Sequence, residues 1–317
     1  GHWALAMLYA FQGEMKLALE EVDKCAALDP TYTKGRFYLL QWDFEKAEAE
    51  YLKWFHHIQQ NYHLAARGQL EHLYRTQGKF KEAENQLRLG IEQAEKMHHD
   101  GYLETFHFYL AYLKLRQKKF EAALEAVSEA EKFNTIPVLL MYTLELKGWI
   151  YAEAGELNKA LETAEGLNRL IETGPYKKLV RHYDFLMGII KLKNKNYSDA
   201  INYFNSAISL LPYPAGWETD NGPYLYHLAL AYYEAGDLQS AGEKFEELIH
   251  LIPGRNSWGD FYAQSYYLLG RIYEKQRESS KAVQHYEKFL DLWKDADLDF
   301  RNEVEDARKR LAGLNSQ

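Results

Sequence analysis

The sequence predicts an all-α fold: a right-handed superhelical solenoid of helix–turn–helix units, ended by a C-terminal capping helix. Three observations predict it. A buried-type alanine recurs from end to end, as Ala18, Ala47, Ala83, Ala123, Ala160, Ala200, Ala241 and Ala282, at spacings of 29, 36, 40, 37, 40, 41 and 41 residues. Around each alanine, apolar residues fall at helical spacing on both sides of a short break. The last segment carries one narrow apolar stripe on an otherwise charged helix. A length of 317 residues would ordinarily suggest about two domains. The same unit fills the chain, which excludes that division.

The unit from Leu225 to Pro253 shows the logic most clearly. Leu225, Leu228, Ala229 and Tyr232 fall at i, i+3, i+4 and i+7, the stripe of an amphipathic helix. Gly236-Asp237 breaks it, since glycine accepts the positive φ that ends a helix. Leu238, Ala241, Phe245 and Leu248 form the stripe of a second helix, and Pro253 stops it. The alanine permits close crossing of the two helices, because a longer side chain would force their axes apart. A small residue in the first helix serves the same purpose, as Ala6, Gly35, Ala111, Gly148, Gly188, Ala229 and Gly270. Glu71 occupies this position in the third unit, which predicts looser or shifted packing there.

About eight units follow in order, spanning approximately 1–30, 31–60, 64–100, 104–135, 141–173, 181–213, 222–254 and 262–295. Phe300, Val304, Leu311 and Leu314 make the stripe of the capping helix over 298–314, with Arg301, Glu303, Glu305, Asp306, Arg308 and Arg310 covering the rest. A polar outer face is what the end of a solenoid needs. The first helix has no such cap before Trp3, so the chain is expected to be the C-terminal part of a longer protein.

These residues resemble the tetratricopeptide repeat. The sixth unit matches its pattern with Met187-Gly188, Tyr197, Ala200, Phe204, Ala207 and Pro212; the eighth with Leu269-Gly270, Tyr273, Ala282 and Tyr286; the first with Leu5, Tyr9, Gly13, Ala18 and Pro30. The second unit is shortened and lacks the closing proline, and Lys114 stands where the fourth should have tyrosine. The resemblance implies a protein- or peptide-binding scaffold and a region of a larger bacterial signalling or regulatory protein.

Composition narrows the function. Lys and Arg number 38 against 46 Asp and Glu, a net charge of −8, which argues against a nucleic-acid surface. One cysteine, Cys25, excludes an internal disulfide and reads as a small buried side chain. No apolar run approaches the roughly 18 residues of a membrane-spanning helix, and the expected location is cytoplasmic. None of the phosphate-cradle, nucleophile-elbow or zincin motifs occurs. The doublets His56-His57 and His98-His99 point apart on a helix and cannot chelate as an i, i+4 pair; the second is explained by a helix C-terminus, where a cation is favoured. No pair of carboxylates stands out in an apolar setting, and Glu45, Glu48 and Glu50 read as a solvated face. The expectation is therefore no enzyme, no metal and no cofactor.

In the family the concave groove is lined by first helices. Carried over residue by residue, the resemblance places there Tyr32, Arg36, His72, Arg75, Phe108, Tyr112, Arg116, Tyr142, Glu145, Trp149, Phe185, Lys193, Tyr226, Tyr233, Tyr267, Arg271 and Glu274. Tyr, Trp and Arg are the commonest interface anchors. The competing reading sends about half of the aromatics into packing between units, or fills the groove with another part of the same full-length chain. The family's asparagine clamp for a C-terminal carboxylate is missing, and the arginines favour an acidic or aromatic peptide. Two long connections, Pro212 to Pro223 and Pro253 to Asp260, carry Trp217 and Trp258, as lids over neighbouring helix ends or as binding residues. The alternative to a scaffold is a ligand-sensing regulatory domain whose peptide or small molecule changes superhelix curvature. A third reading is an accessory domain of an enzyme. An open groove marks the scaffold; a closed pocket with convergent polar groups marks the sensor.

Overall fold

The computed structural model describes residues 1–26, 33–134, 136–175, 177–211, 221–252 and 254–315. Among them it is all α-helix, with three short 3-10 turns and no strand. Consecutive helices pair antiparallel: α1 (His2–Phe11) with α2 (Met15–Ala26), α3 (Gly35–Leu40) with α4 (Phe44–Leu52), α5 (Gln60–Thr76) with α6 (Phe80–Lys96), and α7 (Asp100–Arg116) with α8 (Phe120–Glu131). They continue as α9 (Pro137–Glu153) with α10 (Leu157–Thr173), α11 (Val180–Lys193) with α12 (Tyr197–Ser209), α13 (Asn221–Ala235) with α14 (Leu238–His250), and α15 (Arg255–Lys275) with α16 (Ser279–Leu292); α17 (Arg301–Leu314) packs on α16.

The recurring small residues act as expected. All eight alanines of the second helices are fully buried. At Gly188 and Gly270 a Cβ would come within 2.5 Å of the Phe204 ring and 2.6 Å of the Tyr286 ring. The aromatic one turn after the alanine therefore lies directly on the glycine, and only a missing side chain admits it. The turns repeat one design. A residue in the left-handed region ends the first helix, at Gly13, Gly78, Gly155 and Gly236, but also at Trp42, Lys118, Lys195 and Arg277. Asp43, Asn196 and Asp237 then accept the backbone N–H of the residue three ahead and cap the second helix.

Three local expectations change. Glu71 does not loosen the third unit: it is fully buried with charged partners, and Ala83 and Leu87 of α6 are inaccessible. Lys114 takes over the tyrosine's hydrogen bond, donating to Glu84 at 2.6 Å as Tyr74 donates to Glu48 one unit earlier. His98-His99 do not end a helix together: His98 takes the left-handed conformation and His99 caps the start of α7. Cys25 is buried, as its position suggests.

The larger difference concerns the stretch from 254 to 260. It is not a connecting loop but the beginning of α15, a helix bent at Trp258, whose φ of −128° and ψ of 27° interrupt the helical geometry. This extra length carries α15 across the concave side. Besides its neighbours α14 and α16, it packs on α13, on α5 and on α3, far earlier in the chain. Arg255 donates to the Leu40 carbonyl at 3.1 Å. A second set of contacts closes the same gap from the C-terminal side. The Trp293 indole donates to the Thr76 carbonyl at 3.0 Å, the Asp297 N–H donates to the Gly78 carbonyl at 3.0 Å, and the rings of Phe80 and Phe300 lie 4.4 Å apart. Gly78 is required there, since a Cβ would meet that of Ala296 at 2.7 Å. The superhelix thus makes one turn and touches itself. The capping stripe holds in part, with Phe300 and Val304 buried and Leu311 and Leu314 half-buried.

Candidate functional site

The turn closes on a buried ion cluster. Asp260, on α15, is wholly inaccessible. Its carboxylate accepts Arg75 Nη1 from α5 at 2.6 Å and the Tyr112 hydroxyl from α7 at 2.9 Å, with Arg116 Nη1 at 3.3 Å. Arg75 also donates through Nε to Glu71 at 2.6 Å and through Nη2 to the Ser257 carbonyl at 2.8 Å. Burial alone would raise the Glu71 carboxyl, but Arg75 and His72 beside it overcome that and hold it at about 2. Every charge in the cluster has a partner, which is the condition for ions to remain in a dry interior.

Next to this cluster lies a cavity of about 300 Å³ on the concave side. Four helices build its wall. From α7 come Glu104, Thr105, Phe108, Tyr109 and Tyr112, of which Glu104, Phe108 and Tyr112 share a face at i, i+4 and i+8. From α9 come Leu139, Tyr142, Glu145, Leu146 and Trp149; from α13, Pro223 and Tyr224; from α15, Ser257 and Trp258. The bend at Trp258 brings its ring within 5.2 Å of the Tyr112 ring, edge to face. Two carboxylates stand in this aromatic wall. Glu104 is 5% exposed, accepts only the Thr105 hydroxyl, at 3.2 Å, among the described residues, and burial raises its carboxyl. Burial pushes Glu145 up to about 8 against the opposing pull of Arg181 and Tyr224. Glu145 Oε2 lies 2.5 Å from His182 Nδ1, across one short hydrogen bond. The Trp149 indole N–H is buried and has no hydrogen-bond partner among the described residues. The expectation that no carboxylates share an apolar setting is thereby corrected.

The candidate groove residues divide between these features. Phe108, Tyr112, Tyr142, Glu145 and Trp149 meet in the cavity wall, together with Trp258. His72, Arg75 and Arg116 belong to the ion cluster, so the arginines expected to attract an acidic peptide are already engaged by Asp260 and Glu71. Phe185 is fully buried, stacked on Tyr224 at 4.2 Å, and Tyr226 packs on Phe261 at 4.7 Å. Further along, the Arg271 guanidinium lies over the rings of Tyr233 and Tyr267, and the Tyr267 hydroxyl donates to Asp306 of α17 at 2.8 Å. Glu274 accepts from Tyr286 and Arg310, Lys193 pairs with Glu153, and Arg36 is half-buried apart from all of these. Tyr32 and Trp217 lie outside the described residues. Trp258 covers Gly222 at the start of the neighbouring α13, where a Cβ would meet its side chain at 2.8 Å, and it also reaches Tyr112 of α7.

Sequence reasoning missed Glu104, Tyr109, Tyr224 and Asp260. Glu104 carried a signal, an acid on the same helical face as Phe108 and Tyr112. Glu71 carried another, a charge where the repeat demands a small residue. Asp260 had none, because its segment reads as a loop.

An all-α array of stacked helix pairs defines a helical-repeat protein, a class in which each unit packs on its neighbours. Models of the tetratricopeptide repeat match residues 1–32, 185–260 and 263–292, so the chain carries tetratricopeptide repeats over those stretches. A TPR repeat-containing protein of Methanocaldococcus jannaschii is 25% identical over 146 residues, which are 46% of this chain and 23% of that protein's length. Among solved structures, the anaphase-promoting complex hetero-tetramer Cut9-Hcn1 is 14% identical, with a TM-score of 0.48 over 92% of this chain and 52% of the other. A tetratricopeptide repeat protein of Parabacteroides merdae is 18% identical, with a TM-score of 0.48 over 87% and 96%. The fold is consistent with a scaffold for protein interaction. Among the described residues no helix is long and apolar enough to cross a membrane.

Proposed function

We propose that this chain is a non-catalytic peptide-binding scaffold that admits one side chain or terminal group of its partner into the aromatic cavity on its concave side. The observation that carries this reading is the cavity itself: about 300 Å³, walled by α7, α9, α13 and α15, at the lower end of the size range of ligand pockets. The N-terminal half of α15 reaches α3 and α5 through Arg255, Ser257 and Asp260 and adds Ser257 and Trp258 to the wall, so a partner meets a defined entrance. Tyr142 and Phe108 are half-buried wall residues and can be truncated without removing a core ring. Tyr142→Ala should lower capture of a bound peptide by roughly ten-fold or more, the loss expected for one aromatic anchor, while far-UV circular dichroism stays unchanged. Equal capture by wild type and variant would remove the cavity from the binding surface.

A second reading, ligand sensing, draws on one specific feature. Tyr112 lines the cavity and also donates to Asp260, so the cavity wall and the contact between superhelical turns share a residue. A ligand that shifts Tyr112 would bias closure of the turn. A change in radius of gyration on ligand binding, measured by small-angle scattering, favours this reading over a rigid scaffold.

A further inference from the structure

We infer that the cavity recognises an organic cation: an ammonium group held by the Glu104 and Glu145 carboxylates among the rings of Phe108, Tyr109, Tyr142 and Trp149. The inference rests on the reading that a ligand group enters this cavity, and it supplies the chemistry of that group.

The wall holds two carboxylates and no Lys, Arg or His among the described residues. Two of the nearby cations are committed to the ion cluster, while Arg181 acts on Glu145 from outside the wall. Arg75 is bound by Glu71, Asp260 and the Ser257 carbonyl, and Arg116 by Asp260 and Gln264. His182 sits against Glu145, but no positive side chain lies within ion-pairing distance of Glu104 among the described residues. A carboxylate buried with one hydroxyl for company is costly to ionise, and a ligand that brings a positive charge removes the cost. The rings add to the same preference. An ammonium beside aromatic faces, shielded from water, is attracted by the ring quadrupoles, whereas an anion is repelled by them and by both acids. Size limits the ligand too: about 300 Å³ accepts an ammonium and a short alkyl stem, not a folded segment. The acidic partner that the arginines suggested is thus replaced by a basic one, because those arginines point into the ion cluster.

Isothermal titration calorimetry on the whole chain tests this with n-butylammonium, tetramethylammonium and the peptide acetyl-Gly-Lys-Gly-amide, against n-butanol and butyrate as neutral and anionic counterparts. Saturable binding of the ammonium probes is expected, at least ten-fold tighter than n-butanol, with none for butyrate. Glu104→Gln and Glu145→Gln should each weaken it by roughly ten-fold, the equivalent of about 1.4 kcal/mol. Glutamine keeps the size and one accepting oxygen of each buried carboxyl, and a thermal melt verifies that both variants fold. Tighter binding of the lysyl peptide than of butylammonium identifies a protein side chain as the source of the cation, and the reverse order identifies a free amine; both agree with the inference. Equal affinity for n-butanol and butylammonium, or ammonium binding that survives both substitutions, overturns it. If n-butanol binds and Tyr142→Ala abolishes that binding, the charge assignment falls while the cavity remains the ligand site. If no probe binds and Tyr142→Ala leaves peptide capture intact, the binding role of the cavity falls with it.

Discussion

Glu145 shows at the level of one residue how burial turns a solvent-type side chain into a source of tension. Its folded value of about 8 stands above the ordinary 4.5 of a glutamate. The protonated form costs nothing below the unfolded value, so its contribution to stability is intact there and is lost progressively as pH rises from 4.5 through 8. Glu145→Gln, which cannot ionise, should therefore melt with wild type at pH 4.5 and above it at pH 8. A melting difference that is independent of pH would show that Glu145 ionises normally. The same residue explains why part of the site was readable in advance. Glu145, Tyr142 and Trp149 lie three and four residues apart on one helix face, so their meeting follows from helical geometry. Glu104 obeys the same rule with Phe108 and Tyr112, a signal that places it on their face without saying what would cover that face. The wall around it is completed by α13 and α15, more than 100 residues further along the chain.

Among the elements, the helix pairs were legible because each is specified locally. The alanine that permits a close crossing, the glycine beneath Phe204 or Tyr286, and the aspartate that caps the second helix all act within one unit. The turns give a test of this local specification. Lys195 occupies the left-handed turn position that glycine fills at Gly236, and its side chain is exposed. Lys195→Gly should stabilise by roughly 0.5 kcal/mol, the cost of a left-handed L-residue less the extra chain entropy of glycine. Urea denaturation measures it; a loss of stability would mean that the lysine side chain contributes more than its backbone costs. The element that resisted prediction is α15. Gly254, Asn256 and Gly259 read as loop residues, yet each is buried in a helical start. At Gly259 a Cβ would collide with the Thr76 side chain, so glycine marks a tight approach of two distant helices and not a flexible connection. Sequence alone cannot separate those two uses of glycine without knowing what lies opposite.

For the whole molecule, the consequence is a superhelix closed on itself. Repeat arrays are normally stabilised by nearest-neighbour interfaces alone. Here α5 also meets α15, and the turn after α5 meets the segment before α17, so contacts bridge more than half the chain. Closure converts a long groove into a small acidic, aromatic cavity and buries an ion cluster at the seam. The central claim is that Arg75 and Asp260, 185 residues apart in sequence, are direct partners. A double-mutant cycle with Arg75→Met and Asp260→Asn, read by urea denaturation, tests it most directly. Closure predicts a coupling energy of about 2 kcal/mol or more, as for a buried charge pair broken from either side. Additive effects, with coupling indistinguishable from zero, would mean that the two turns do not meet and that the concave face is open.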